Sequence, residues 1–219
     1  MTEEQWLSPA DLNAMCEQLG RKTSQRKSRL FLVACCRSIL ALIPEGVARA
    51  MLQLAESYAD NEAKDRARRE AAFTTDGLGL ETINALSAVL DTTKKTIDLV
   101  KCNFFCTAAA RGHAARQRGK GRDPYGVAFR AEQAAQAALL RDIFGNPFRP
   151  VTFDPAWRTE TAVGLALRMY DERDFAAMPI LADALQEAGC DSQDILTHCR
   201  EPGVHVRGCW VVDLVLGKA

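Results

Sequence analysis

The C-terminal part of the chain carries residue types that can bind a metal ion. Residues 198–210, HCREPGVHVRGCW, hold two of the three histidines and two of the eight cysteines. Zinc favours four nitrogen or sulfur ligands in a tetrahedral arrangement. A set of four residues has spacing similar to that of a zinc finger with three cysteines and one histidine: Cys190, Cys199, His205 and Cys209. The alternative for these cysteines is a plain packing role, because a buried cysteine behaves as a small hydrophobic residue.

The same residues could supply a thiol nucleophile and its base. Cys199 follows His198 directly, and Cys209 lies four residues after His205. Adjacent residues of a helix point about 100° apart, so the first pair would not face each other. Pro202 and Gly203 place His205 at or before a helix start, which weakens the second pair. Since no third catalytic group is recognisable, we predict a structural turn and a helix start here, and a protein that is not an enzyme.

Helical patterns dominate the first two thirds of the chain. Apolar residues recur every three or four positions, and helix-capping residues bound several of these segments. Ser8 is predicted to cap the first helix and Gly20 to end it, while Asp123 and Gly145 bound a later one. The fourth segment is one long helix or two joined helices, because Thr and Asp in its middle are weak helix formers. The predicted helices cover residues 8–20, 24–44, 46–72, 80–118 and 123–145.

A proline-rich segment separates these helices from a series of shorter ones. Pro147, Pro150 and Pro155 favour an extended connection. The last segment, CWVVDLVL, could be a buried strand, but with no other strand to pair with we predict a helix. The sequence therefore predicts an all-α fold, an irregular bundle of about eight or nine helices. It is divided into a part over residues 1–145 and a module of short helices over 146–219, or forms a single domain. The four short helices are predicted over residues 158–173, 178–189, 191–200 and 205–217.

Composition and charge limit the kinds of function that the protein can have. The chain is 47% hydrophobic and 26% charged, which is ordinary for a globular protein. It has no run of 18 apolar residues and no positively charged leader, so we expect a cytoplasmic protein with reduced cysteines and no membrane partner. Residues 151–219 carry 11 acidic and 6 basic residues, a net charge of −5, and the remainder is therefore +5. These opposite charges favour either mutual docking or two different partner surfaces.

Two clusters of basic residues make nucleic-acid binding an alternative function. Such side chains contact phosphates. The absence of interleaved aromatic residues and the overall neutrality of the chain favour solvated helix ends as the explanation of both clusters. The segment over 173–200 suits a helix-turn-helix in spacing, but its five acidic residues suit a protein partner better. No glycine-rich phosphate loop is present. The candidate nucleic-acid-binding residues are Arg21, Lys22, Arg26, Lys27, Arg29, Arg37, Arg111, Arg116, Arg118, Lys120 and Arg122.

Three stretches of the chain resemble a heavily duplicated family of uncharacterised bacterial cytosolic proteins. They are LFLVACCRSI over 30–39, LLRDIFGNPFRPVTFDPAW over 139–157, and the long phrase over 170–218 that begins YDERDF. The resemblance implies a small accessory or regulatory protein, and it implies no cofactor or catalytic residue. We therefore predict a non-catalytic helical module that binds another protein. Nucleic-acid binding and a structural zinc ion remain the alternatives.

Overall fold

The computed structural model describes residues 1–8, 11–20, 23–42, 47–61, 80–99, 112, 115 and 123–218. Ten α-helices and two short 3-10 helices lie in these residues, and they contain no strand. The predicted all-α fold is therefore confirmed, with about the predicted number of helices. The chain divides into two compact units, Met1–Ala137 and Ala138–Ala219. None of the described helices is both long enough and apolar enough to cross a membrane.

The first unit is built around three packed helices. Helix α3 (Gln25–Ser38) contacts both α4 (Val47–Ala59) and α5 (Leu80–Thr92), and α4 also contacts α5. Their shared core contains buried Val33, Leu52 and Val89. α6 begins in this unit and continues into the second. The helices are α1 (Glu3–Leu7), α2 (Leu12–Leu19), α3 (Gln25–Ser38), α4 (Val47–Ala59), α5 (Leu80–Thr92) and α6 (Pro124–Phe144), with a 3-10 turn at Leu40–Leu42.

The start of α2 differs from the prediction because a better cap lies three residues later. The Asp11 side chain accepts a hydrogen bond from the Asn13 amide and begins α2, whereas Ser8 ends the separate helix α1. A carboxylate so placed satisfies an amide that has no partner within the helix. Gly20 ends α2 as predicted, with a φ of 70°. The left-handed conformation that it adopts costs glycine little because glycine has no Cβ.

The segment over 80–118, predicted as one long helix or two joined, contains a helix that ends within it. α5 ends at Thr92, and residues 93–99 form turns. The Thr92 hydroxyl donates to the Val89 carbonyl at 2.6 Å, and the Thr93 hydroxyl donates to the Leu90 carbonyl at 2.9 Å. Threonine hydroxyls that bond to nearby carbonyls compete with the helix, which explains the break at this point. Residues 100–111 lie outside the described part of the chain.

The second unit contains the last residues of α6 and four short helices. Two of these helices, α8 (Met178–Glu187) and α10 (Trp210–Leu216), each contact both α7 (Glu160–Glu172) and α9 (Gln193–Arg200). The last segment is therefore a helix, as predicted, and not a strand. Their common core holds buried Tyr170, Leu185 and Val212. The elements are a 3-10 turn at Pro155–Trp157, α7 (Glu160–Glu172), α8 (Met178–Glu187), α9 (Gln193–Arg200) and α10 (Trp210–Leu216).

Candidate metal centre

Four side chains of the second unit direct their donor atoms toward one point. Asp142, His198, His205 and Cys209 each offer one potential ligand atom, and all four atoms lie within 4.8 Å of one another. Oδ1 of Asp142 is 2.7 Å from Nδ1 of His205 and 3.3 Å from Nε2 of His198. Sγ of Cys209 is 3.2 Å from the same nitrogen of His198 and 3.9 Å from Nδ1 of His205. No other such group occurs in the described residues.

Two helices and the loop between α9 and α10 supply these side chains. Asp142 lies in the last turn of α6, His198 in the last turn of α9, and Cys209 directly before α10. His205 belongs to the loop between α9 and α10. A carboxylate near a helix C-terminus is unfavourably placed with respect to the helix dipole, whereas a histidine is favourably placed there. The charged form of Asp142 therefore depends on hydrogen-bond partners for its stability more than the charged form of a histidine at such a position does.

A tight turn sets the positions of the last two donors. The amide of Cys209 donates to the carbonyl of Val206 at 2.9 Å, which closes a four-residue turn, and Gly208 adopts a φ of 96° within it. A glycine is favoured at this position of a turn because it tolerates a positive φ. The amide of Val206 also donates to Oδ2 of Asp142 at 3.0 Å. That bond occupies one carboxylate oxygen and leaves Oδ1 directed at the two histidines.

Burial and hydrogen bonding act in opposite directions on Asp142. Its side chain is 3% exposed, and burial raises the pKa of the carboxyl because it disfavours the charged form. Hydrogen bonds and charge interactions with His198 and His205 lower the pKa more, so its pKa lies below the ordinary value. The carboxylate is therefore held in its ionised form, which is the form that binds a cation.

Cys209 is a buried thiol in the metal-free chain. Burial raises the pKa of this thiol well above its ordinary value, and the nearby charge of Asp142 adds to the effect. Backbone hydrogen bonds from Val212 and Val211 act in the opposite direction and favour the thiolate. A metal ion displaces the proton of a coordinating thiol. Cys209 is therefore suited to bind a metal ion and poorly suited to attack a substrate without one.

The arrangement differs from a catalytic triad of cysteine, histidine and aspartate. In such a triad, one ring nitrogen of the histidine contacts the nucleophile and the other contacts the carboxylate. Here a single nitrogen of His198, Nε2, lies against both the Cys209 sulfur and the Asp142 carboxylate. Nδ1 of His205 likewise faces both groups. Donors that converge in this way surround a central position, as metal ligands do.

The spacing of the donors fits a tetrahedral transition-metal site. Zinc bonds of 2.0–2.3 Å correspond to distances of about 3.3–3.6 Å between ligand atoms. The four separations between a histidine nitrogen and either Asp142 Oδ1 or Cys209 Sγ range from 2.7 to 3.9 Å, around that value, and all six separations are within 4.8 Å. Two imidazoles, one carboxylate and one thiol can therefore hold a metal ion after only small side-chain adjustments.

Two of the four metal ligands predicted from the sequence belong to this cluster. His205 and Cys209 lie in it, whereas Cys190 and Cys199 are buried thiols in the hydrophobic core of the second unit. Cys199 follows His198 on α9, so the two side chains point in different directions and only the imidazole reaches the donors. Burial raises the pKa of Cys199 to about 12. These two cysteines match the packing role that the sequence left open.

Asp142 and His198 complete the cluster, and neither belongs to the zinc-finger-like spacing in the sequence. The sequence indicates His198 only as a possible base for the neighbouring Cys199. Asp142 lies 63 positions before His205, in a helix with no other candidate ligand. Spacing motifs contain local ligands only, so this carboxylate had no recognisable signal apart from being an acidic residue within an apolar helical segment, LLRDIF.

Three arginines of the first predicted basic cluster bind to groups within the protein. Arg26 donates to the Asp60 carboxylate at 2.8 Å, and Arg37 makes two hydrogen bonds of 2.9 Å with the Glu56 carboxylate. Arg29 is buried, donates to the carbonyls of Thr92 and Lys95, and lies over the Tyr58 ring. These guanidinium groups have structural roles. Lys27 is half-buried, and the remaining predicted residues lie outside the described part of the chain: Arg21, Lys22, Arg111, Arg116, Arg118, Lys120 and Arg122.

Comparisons of the chain with protein-family models, with curated proteins and with solved structures found no match.

Proposed function

We propose that the second unit binds one zinc ion through Asp142, His198, His205 and Cys209, and that this ion has a structural role. The observation that carries the proposal is the convergence of four donor atoms within 4.8 Å of one another. The chain would then be a zinc-containing, non-catalytic accessory protein.

The donor set favours zinc over the other common divalent cations. Magnesium and calcium bind oxygen ligands almost exclusively, whereas imidazole and thiolate suit zinc and other late first-row metals. Asp142 contributes a carboxylate and Cys209 a sulfur, both of which are ordinary zinc ligands. With one thiolate and one carboxylate charged, the bound ion would be neutralised within the site. That balance reduces the cost of placing charge in this largely buried position.

A structural role follows from the number of protein donors. Structural zinc sites have four protein ligands, whereas catalytic sites have three and leave one position for water or substrate. The four side chains here supply a complete tetrahedral set. His205 lies 63 positions from Asp142, and His198 lies 11 positions from Cys209, so the ion would join segments that are distant in the chain. Such a crosslink stabilises the folded state because the unfolded chain holds no such site.

The interaction role predicted from the sequence remains part of this proposal. Acidic residues are exposed on α8 and in and before α9, including Asp183, Glu187 and Asp194. Acidic helical surfaces favour partners with basic surfaces. A zinc ion that holds α9 and α10 in place would fix the surface that these residues present. This role is tested by the effect of zinc on binding to a basic partner, once such a partner is identified.

Cobalt(II) titration of the metal-free protein tests the zinc proposal. Cobalt in a tetrahedral site with a thiolate ligand gives visible bands and a sulfur-to-metal charge-transfer band, and added zinc removes them. We expect one equivalent to bind to the wild type. The Cys209→Ala variant should lose the charge-transfer band, and its affinity for cobalt should fall by at least about 100-fold. Loss of a residue that only supports a ligand typically lowers metal affinity 10–100-fold, so the effect of losing a ligand lies at or above the top of that range.

Cys199→Ala is the matched control for this experiment. Cys199 and Cys209 are both buried in the same core, and both thiols have a raised pKa. The two substitutions therefore remove the same group from similar surroundings, but only Cys209 is a proposed ligand. Cys199→Ala should keep the charge-transfer band. Equal spectra for the two variants, or a wild type that binds no cobalt, would contradict the proposal.

A further inference from the structure

We infer that Trp210 positions the metal ligand His198, and that Gly145 leaves the space in which the Trp210 ring lies. This inference rests on the proposed function, because the affinity that it concerns is that of the proposed zinc site. All three residues belong to the second unit. Neither Trp210 nor Gly145 offers a ligand to the ion, so both would act through His198.

The His198 ring packs against two other aromatic rings. Its centroid lies 5.1 Å from that of Trp210, with the ring planes inclined at 52°, and 4.9 Å from that of His205, at 80°. Distances in this range are those of favourable aromatic pairs. A metal-binding histidine needs its ring orientation fixed by surrounding groups, and loss of such support typically lowers metal affinity 10–100-fold. For His198, the Trp210 ring is one of the groups that supply this support.

Gly145 lies directly against the Trp210 ring. A Cβ atom built on Gly145 would be 3.3 Å from Cγ, 3.4 Å from Cδ2 and 3.6 Å from Cδ1 of the indole. The first of these contacts is tighter than most Cβ contacts in proteins, and the other two are ordinary van der Waals distances. An added methyl group would therefore press on the five-membered part of the indole. Gly145 ends α6, three residues after Asp142, so it is fixed close to the proposed site.

A shift of the indole would be transmitted to two ligands. Trp210 contacts the His198 ring through space, and it follows Cys209 directly in the chain. Packed interiors have little free volume in which to absorb such a shift. A methyl group on Gly145 should therefore misplace His198 and Cys209 relative to Asp142, even though it touches none of them.

The experiment compares Gly145→Ala with Gly217→Ala in cobalt titrations of the otherwise complete chain. Gly145 has a φ of 69° and Gly217 a φ of 66°, so an alanine is strained to a similar degree at both positions. The Cβ at position 217 would approach nothing closer than Arg158 Nη2 at 4.0 Å. Gly217→Ala therefore reproduces the backbone strain without the contact with Trp210. Thermal unfolding of the metal-free variants verifies that both fold.

We expect Gly145→Ala to weaken cobalt binding about tenfold or more, and Gly217→Ala to change it less than about threefold. Equal affinities of the two variants would overturn the inference and leave the zinc proposal intact. If the wild type binds no cobalt, both fail. In a Trp210→Ala background, the Cγ, Cδ1 and Cδ2 atoms that the added methyl group would meet are absent, so Gly145→Ala should then cost less than about threefold. A loss that stays tenfold in that background would contradict the role of Trp210.

The same series has a spectroscopic readout that a general loss of stability would not change. At saturating cobalt, Gly145→Ala should alter the visible bands, because they report the geometry of the ligands around the metal. Gly217→Ala should give the wild-type spectrum. Superimposable spectra for all three proteins at saturation would show that the ligand geometry does not depend on the Gly145 contact, and would overturn the inference.

Discussion

The imidazole Nδ1 of His205 lies 2.7 Å from Oδ1 of Asp142, although 63 positions of the chain separate the two residues. The Asp142 carboxylate is buried at the C-terminal end of a helix, where neither the solvent nor the helix dipole favours its charge. His205 therefore compensates a group that would otherwise be costly to bury. Nε2 of His198 lies 3.3 Å from the same carboxylate oxygen, and Sγ of Cys209 lies 3.9 Å from the same imidazole nitrogen. We propose that zinc occupies the position that these four donor atoms surround.

Zinc should stabilise the protein against heat. A ligand that binds only the folded state at 100 times its dissociation constant adds about 2.7 kcal/mol. For a chain of this size, that corresponds to an increase in Tm of roughly 5–10 °C. Differential scanning calorimetry of the metal-free protein with and without zinc measures the effect. Magnesium at the same concentration is the control and should leave the Tm unchanged, and an equal response to both ions would contradict a site containing imidazole and thiolate.

Cys199 should resist alkylation while the protein is folded. Burial raises the pKa of its thiol to about 12, so roughly one molecule in ten thousand carries the reactive thiolate at pH 8. Iodoacetamide labelling followed by peptide mass spectrometry should show Cys199 unmodified in buffer and modified in denaturant. Cys209, whose pKa is raised by burial as well, should behave in the same way in the metal-free protein. Rapid labelling of either residue under native conditions would contradict their burial.

Asp142→Asn should lower the stability of the metal-free protein near neutral pH by about 1.5–3 kcal/mol, the usual contribution of a hydrogen bond to a charged group. The pKa of Asp142 lies below its ordinary value of 3.8 because of His198 and His205. A lowered pKa stabilises the folded state above the unfolded value, and this contribution disappears as the pH falls through the folded value. The difference between wild type and variant should therefore be large at pH 6 and shrink below about pH 4.

Urea unfolding over this pH range measures that difference. Asp183→Asn is a suitable control, since Asp183 is exposed and pairs with Arg200 on the surface, where such pairs contribute little. A stability gap for Asp142→Asn that widens on acidification below pH 4 would have the opposite sign to the one expected.

Arg37→Ala should destabilise the first unit by about 1–3 kcal/mol. The Glu56 side chain is 2% exposed, and Arg37 supplies two of its hydrogen bonds, so the variant leaves a buried carboxylate with fewer partners. Arg168→Ala is the matched control, because the pair that Arg168 forms with Glu172 is largely exposed and should contribute less than about 1 kcal/mol. Chemical denaturation of both variants gives the comparison. Similar losses of unfolding free energy in the two variants would show that the burial of Glu56 does not increase the contribution of its pair with Arg37.

Most of the helices were predictable because their signals are local. Pro179 in the first turn of α8 and the glycines that follow α2 and α6 identify helix boundaries within a few residues. Boundaries were wrong or left open where two local signals compete. Asp11 caps α2 in place of the predicted Ser8. The threonines after α5 end a helix whose apolar pattern continues, in a segment predicted as one helix or two joined. In each case a side-chain hydrogen bond to the backbone decided the boundary, and hydrophobic periodicity does not report such bonds.

The candidate site was predictable only in part. His205 and Cys209 belong to the zinc-finger-like spacing found in the sequence, although Pro202 and Gly203 weaken a helical pairing of these two residues. Cys199 has the same chemistry and is close to them in the chain, yet the helical twist of α9 turns it into the core and directs His198 to the site instead. The spacing of cysteines and histidines does not show which neighbour on a helix faces the donors, because that depends on which face of the helix is buried.

The sequence by itself determined the helical class and the location of the histidine and thiol groups near residues 198–209. These properties follow from local periodicity, capping and residue type. Only the tertiary structure placed the Asp142 carboxylate among those groups and packed Trp210 between Gly145 and His198. Contacts between residues so far apart in the chain depend on how the helices pack, and packing is decided by the whole buried surface of the unit rather than by any short stretch of residues.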